Sequence, residues 1–165
     1  YYGCLLSRGE DVITGDDPED PSGMSAAIRA AGAEPVEWNF ATECCGGGFS
    51  MSKTEAVLDL ASQILQDATD AGAEILVTGC PMCHSNLDMR QRAIRAAGKG
   101  DFQMPVLYHS ELLALAAGVD PRDVGLHRHF VDAMGVAERI TEADSGEGAD
   151  GEAAAAAAAP AERST

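Results

Sequence analysis

The alternation of short apolar runs with amphipathic stretches predicts an α/β fold, a small parallel sheet of about four strands with helices packed around it. Three observations carry that prediction. Apolar residues recur at helical spacing in some segments and as runs of three or four in others. Glycines follow the helical segments at Gly32, Gly72 and Gly118, where a helix needs a stop. The length, 165 residues, suits one buried core, and strands joined through helices favour right-handed parallel crossovers.

In chain order, Tyr1 to Cys4 reads as the end of a first strand. That beginning, already inside an element and without Met, creates the expectation that residues precede it. Leu5 to Gly23 is acidic, holds Pro18 and Pro21, and reads as a long loop. Met24 to Ala31 is predicted helical and Glu34 to Trp38 a second strand. After the Cys44-Cys45 turn, Ser52 is predicted to start a helix, with Glu55 completing a capping box. Ala56, Val57, Leu60, Ala61, Ile64, Leu65 and Ala68 form its apolar stripe. Glu74 to Thr78 reads as the third strand. Gly79 to Cys83 then turns the chain into a helix spanning roughly His84 to Ala97. Pro105 to Tyr108 reads as the fourth strand. Ser110 is expected to cap a helix carrying Leu112, Leu113 and Leu115. Asp120-Pro121 opens a last helical region that includes His127, His129 and Phe130. Residues 1–140 are thus assigned to one cysteine-rich domain. Residues 141–165, with seven consecutive alanines before Pro160, are assigned to a disordered, acidic, alanine-rich tail.

The formal net charge of −16 argues against a nucleic-acid partner, which calls for a basic stripe. No apolar run approaches the ~20 residues of a membrane-crossing helix, and no export signal is recognisable. The expectation is a cytoplasmic protein with no direct membrane insertion, whose five cysteines act as reduced thiolates.

Those cysteines are Cys4, the vicinal pair Cys44-Cys45 followed by Gly46-Gly47-Gly48, and Cys80 with Cys83. Neighbouring cysteines make poor disulfides with each other, but the glycines permit a sharp bend that turns both toward one centre. Cys4, Cys44 with Cys45, and Cys80 all follow expected strands, so all five sulfurs are predicted to meet at the carboxyl edge of the sheet, where α/β folds bind ligands. Three chemistries compete for them. A thioredoxin-like dithiol at Cys80-Pro81-Met82-Cys83 leaves three cysteines without a role. Structural zinc uses four and leaves one over. An iron–sulfur cluster takes thiolates as its usual ligands, and five of them with a vicinal pair point to an unusual cluster shape.

The spacing Cys4, Cys44-Cys45-Gly46, Cys80-x-x-Cys83 resembles the cysteine-rich CCG domain in the family of the B component of heterodisulfide reductase. So do Tyr1-Tyr2-Gly3-Cys4-Leu5-Leu6, Asp16-Asp17-Pro18-Glu19, Gly79-Cys80-Pro81-Met82-Cys83, Asn86-Leu87-Asp88-Met89-Arg90-Gln91 and Pro105-Val106-Leu107-Tyr108. The resemblance covers roughly Tyr1 to Val131. Members of that family carry two such domains in tandem, and this chain resembles the second.

What the resemblance implies is a noncubane 4Fe-4S cluster held by Cys4, Cys44, Cys45, Cys80 and Cys83. It further implies a disulfide-reducing oxidoreductase subunit, acting in methanogens on the mixed disulfide of coenzyme M and coenzyme B and incomplete as a single domain. The implied partners are an iron–sulfur electron-donor subunit resembling the C component of heterodisulfide reductase, and a flavin subunit. CCG domains also occur in succinate dehydrogenase and glycolate oxidase complexes, which makes an electron-transfer module, or a zinc-stabilised binding module, the alternative.

Among neighbouring residues, His109 at the end of the fourth strand and His84 beside Cys83 are the expected proton donors to departing thiolates. Asn86 and Asp88 are expected either to orient the cysteine loop through backbone amides or to cap a helix. Arg90, Arg92 and Arg95 read as a solvated basic face, and His127 and His129 as surface residues.

Overall fold

The computed structural model describes residues 1–8 and 16–139. The tail assigned to 141–165 and part of the acidic loop lie outside the described residues. In chain order the elements are α1 (Gly3–Ser7), α2 (Gly23–Ala30), α3 (Thr54–Asp70), β1 (Leu76–Thr78), α4 (Pro81–Met89), α5 (Gln91–Ala96), β2 (Val106–Tyr108), α6 (His109–Ala116) and α7 (Pro121–Val124). Single 3-10 turns occupy Gly47–Phe49 and Leu126–Arg128, and residues 134–139 are helical.

The sheet is parallel, as expected, but has two strands among the described residues rather than four. Leu76, Val77 and Thr78 face Val106, Leu107 and Tyr108 in register. Both strands are nearly fully buried, which explains why their sequences read as unbroken apolar runs. The first predicted strand is replaced by α1. Of that segment only Tyr1 lies along β1, its backbone nitrogen 2.7 Å from the Val77 carbonyl, while Tyr2 donates instead to Ala41 at 2.8 Å. Glu34 to Trp38 is likewise not a strand. A strand needs a ladder beside it, and a single residue at the free edge of β1 does not provide one.

The long helix α3 buries Val57, Leu58, Ala61, Ile64, Leu65 and Ala68, close to the predicted stripe, although Ala56 and Leu60 stay partly exposed. Its start differs from the capping-box expectation. Lys53 is the N-cap, no side chain caps the first turn, and Ser52 lies outside. Gly72, at φ +82°, closes it as predicted. The helix expected from His84 to Ala97 is two helices, α4 and α5, which meet at Arg90. Pro81 starts α4 three residues early because its fixed φ suits the first helical position. α6 begins at His109 rather than after Ser110. The Glu111 carboxylate accepts from the Tyr108 backbone at 2.8 Å and draws the start of the helix back to the strand. The last predicted helical region stops at Val124. Gly125, at φ +101°, breaks it, and His129 has extended backbone.

One buried side chain ties α5 to the segment before β2. Gln91 is 2% exposed and donates to the Leu87 carbonyl at 2.9 Å and the Met104 carbonyl at 2.7 Å, while its own oxygen accepts from the Met104 nitrogen at 3.0 Å. Gln91→Ala leaves a buried donor and acceptor of Met104 without partners and is expected to cost about 2–4 kcal/mol. Urea unfolding of the variant measures this. A loss below about 0.5 kcal/mol would show that water replaces the amide freely.

Candidate metal centre

Three loops bring the cysteines together, and two glycines make the approach possible. Gly3 (φ +66°) starts α1, and a side chain there would sit 3.1 Å from the Cys83 sulfur. Gly46 (φ +76°) turns the chain after the vicinal pair, with Leu60 and Val57 of α3 closing over it. Both conformations belong to the left-handed region that side chains disfavour. Cys80, the extended N-cap of α4, and Cys83 in its first turn are supplied by the end of β1. The amide end of α4 therefore faces the thiol group, an orientation that favours negative charge.

The sulfurs meet pairwise. Cys4 Sγ lies 3.5 Å from Cys44 Sγ, and Cys45 Sγ lies 3.3 Å from Cys83 Sγ. Peptide continuity joins Cys44 to Cys45, and Cys80 and Cys83 lie three residues apart at the start of α4. All five are reduced; Cys45, Cys80 and Cys83 are buried, while Cys4 and Cys44 are partly open. The structure thus brings the three cysteine-bearing loops together, with sulfur contacts between Cys4 and Cys44 and between Cys45 and Cys83.

The electrostatics of the group are uneven. Contact with Cys83 holds the Cys45 pKa down at about 6, with Asn86 assisting against the opposing effect of burial. Cys83 is pushed far up by its hydrogen bond with Cys45 and by burial. Burial and the neighbouring Cys44 raise Cys4. In the metal-free chain, Cys45 is accordingly expected to react with iodoacetamide along a profile centred near pH 6, well below the ordinary thiol range of about 8.5. Mass spectrometry of peptides labelled at each pH checks this. A midpoint above pH 8 at Cys45 would contradict the lowering of its pKa by Cys83 and Asn86.

The surrounding residues hold the vicinal loop. Asn86 is buried and donates to the Cys45 carbonyl at 3.2 Å and toward its sulfur at 3.7 Å, so it orients the loop as one expected alternative had it. Ser50 and Arg90 both donate to the Asn86 oxygen at 3.0 Å, and Arg90 also donates to the Ser50 carbonyl at 3.0 Å. Arg90 therefore departs from the solvated face expected of it, whereas Arg92 and Arg95 are exposed. The Tyr1 hydroxyl donates to the Glu43 carbonyl at 2.6 Å, one residue before the pair. Asp88 accepts from the backbone of Phe130 and Val131, at 2.9 and 3.0 Å, and binds a different segment.

The two expected proton donors are placed differently. His109 is exposed at the start of α6, beside Gly79, where an added Cβ would lie 3.6 Å from its ring nitrogen. His84 stacks on Tyr108, with ring centres 4.3 Å apart, and its Nε2 bonds the Val106 carbonyl at 3.0 Å. Burial lowers its pKa. His129, expected on the surface, has a side chain only 6% exposed and pairs with Glu111 at 3.1 Å. Sequence spacing gave no sign of that pairing.

A family model described as the CCG cysteine-rich domain matches residues 1–88. The chain is 30% identical over 148 residues to the B component of a ferredoxin:CoB-CoM heterodisulfide reductase of Methanosarcina mazei, covering 88% of this chain and 49% of that one. It is 29% identical over 133 residues to an 8-methylmenaquinol:fumarate reductase membrane anchor subunit of Wolinella succinogenes, covering 81% and 47%. It is 32% identical over 111 residues to a protein of Archaeoglobus profundus described as like the B component of heterodisulfide reductase, covering 66% and 37%. The chain spans about half the length, or less, of these curated relatives. Among the described residues, no helix is long and apolar enough to cross a membrane. The matched segment contains all five cysteines and more than half of the sequence, and the chain belongs to the cysteine-rich CCG domain family.

Proposed function

We propose that Cys4, Cys44, Cys45, Cys80 and Cys83 hold a noncubane 4Fe-4S cluster, and that the chain is one half of a disulfide-reducing oxidoreductase subunit like the B component of heterodisulfide reductase. The observation that supports this reading is the approach of reduced thiols from three loops, Cys4 to Cys44 at 3.5 Å and Cys45 to Cys83 at 3.3 Å, with Cys80 at the start of the same helix as Cys83. That donor set suits iron, since thiolates are the usual ligands of iron–sulfur clusters. A single tetrahedral zinc would leave one sulfur over. When bound, such a cluster supplies one-electron transfer.

The chain's own residues set the stage for that chemistry. Cys45 is poised as a thiolate, Gly3 keeps the space beside Cys83 clear, and the Asn86 amide steadies the vicinal loop. Reducing a disulfide to two thiols consumes two electrons and two protons, and His109 at the mouth is the group assigned to deliver a proton to a departing thiolate. A one-electron centre needs a second one for the pair, which accords with a companion CCG domain and with an iron–sulfur electron-donor subunit, joined by a flavin subunit upstream. Exposed Leu5, Phe49, Met51 and Met82 border the cysteine loops and offer apolar surface for such a companion.

Anaerobic reconstitution with iron and sulfide tests the cofactor. About four iron and four sulfide per chain is the expected result; a colourless protein whose metal is zinc on sulfur would overturn it. Similarity of the same order to the fumarate reductase subunit favours a second reading, electron transfer without disulfide chemistry. Mixing the reduced protein with the coenzyme M–coenzyme B disulfide separates the two. Reoxidation by the disulfide supports the first reading, and indifference to it supports the second.

A further inference from the structure

We propose that His84, Asp88 and His129 form a second metal site, separate from the five cysteines, which takes a divalent transition ion of the zinc class. One ligand atom from each of these residues lies within 4.8 Å of the other two, and Asp88 is buried. His84 and Asp88 are four residues apart on α4 and share one helical face. His129 comes from the extended exit of the Leu126–Arg128 turn, and its ring meets that of His84 edge-on, with centres 4.9 Å apart.

A second, independent observation points to a ligand. The Nδ1 of His129 is buried and has no hydrogen-bond partner, on a side chain that is only 6% exposed. A doubly protonated ring would carry a proton there that makes no hydrogen bond. A singly protonated ring, with its proton on Nε2 toward Glu111, presents a lone pair at Nδ1 instead. His84 is fixed in the same sense, because Nε2 donates to the Val106 carbonyl and leaves Nδ1 as its lone pair. Asp88 receives one backbone amide on each oxygen and keeps further lone pairs for a cation.

The supporting contacts are those a metal site requires. Metal-binding histidines donate their other ring nitrogen to a carboxylate or a carbonyl, and here Glu111 and Val106 are those acceptors. A pocket of about 330 Å³ lined by His84, Asp88, Glu111 and His129 gives entry and leaves room for a fourth ligand such as water. A tetrahedral ion with bonds of about 2.0–2.1 Å sets its ligands roughly 3.3 Å apart, so the three ligand atoms, which lie within 4.8 Å of one another, draw together on binding. Two imidazoles and a carboxylate suit zinc better than magnesium or calcium, which prefer oxygen alone. The ion would clamp α4 to the segment that follows α7.

The full chain, loaded anaerobically with iron, is incubated with zinc sulfate and desalted, then measured for bound zinc and by zinc-edge X-ray absorption. The expected result is about one zinc per chain with a nitrogen and oxygen shell near 2.0–2.1 Å. His129→Gln is expected to remove it, and Glu111→Gln to weaken binding about 10–100-fold, both with iron content unchanged. No retained zinc, or a sulfur shell near 2.3 Å, overturns the proposal, and so does full retention in His129→Gln. If that variant fails to fold, the shell measured in the unmodified chain decides alone. The iron count tests the cysteine site separately, so either assignment can fail without the other.

Discussion

Cys45→Ser is expected to cut cluster iron by about half or more and to change the visible spectrum of whatever remains, because a serine oxygen is a poor replacement for a thiolate on iron. Cys45 is the most telling of the five. It is 2% exposed, contacts Cys83 Sγ at 3.3 Å, and has its pKa held down. The substitution is nearly isosteric, so far-ultraviolet circular dichroism is expected to match the parent and to separate ligand loss from unfolding. Iron and sulfide analysis after anaerobic reconstitution gives the answer. Parental iron content with a parental spectrum would remove Cys45 from the ligand set and return the site to the four-ligand chemistries.

The cysteine site was legible because chemistry is written locally in residue type and spacing: a vicinal pair with glycines, a C-x-x-C at the end of an apolar run, and a cysteine near Gly3. The strands were less legible. Glu34 to Trp38 has the pattern of a strand, but strand formation is a property of pairs, and at the free edge of β1 only Tyr1, among the described residues, makes a backbone bond, to Val77. The joint between α4 and α5 was hidden as well, since nothing in Arg90 itself breaks a helix. Its side chain is engaged instead with Asn86 and Ser50. The His84, Asp88 and His129 group shows the same limit. The four-residue spacing of His84 and Asp88 was visible in the sequence. His129 and Glu111 arrive from segments whose approach only the folded chain reveals, through the glycine break at Gly125 and the early start of α6.

Gly46→Ala is expected to destabilise the fold by about 2–5 kcal/mol and to reduce cluster loading with it. Two costs combine. At φ +76° an alanine occupies the left-handed region, a strain of about 1–3 kcal/mol. Its Cβ would lie 3.0 Å from Leu60 Cδ1, 3.2 Å from Val57 Cγ2 and 3.4 Å from Val57 Cα. The Leu60 methyl can swing aside, but Val57 is fully buried and its Cα belongs to the first turn of α3, so the loop must move instead. Movement there carries Cys44 and Cys45 away from Cys4 and Cys83, because Gly46 also donates its backbone N–H to Cys44 Sγ at 3.4 Å. Gly48, two residues on, provides the control: an added Cβ meets nothing within 4 Å. Gly48→Ala is expected to change stability by less than about 0.5 kcal/mol and leave iron content as it was. Thermal unfolding and iron analysis of both variants compare the positions directly. Equal behaviour of the two would mean that the bend at Gly46 does not set the direction of the vicinal thiols, and that the convergence of the three loops has another cause.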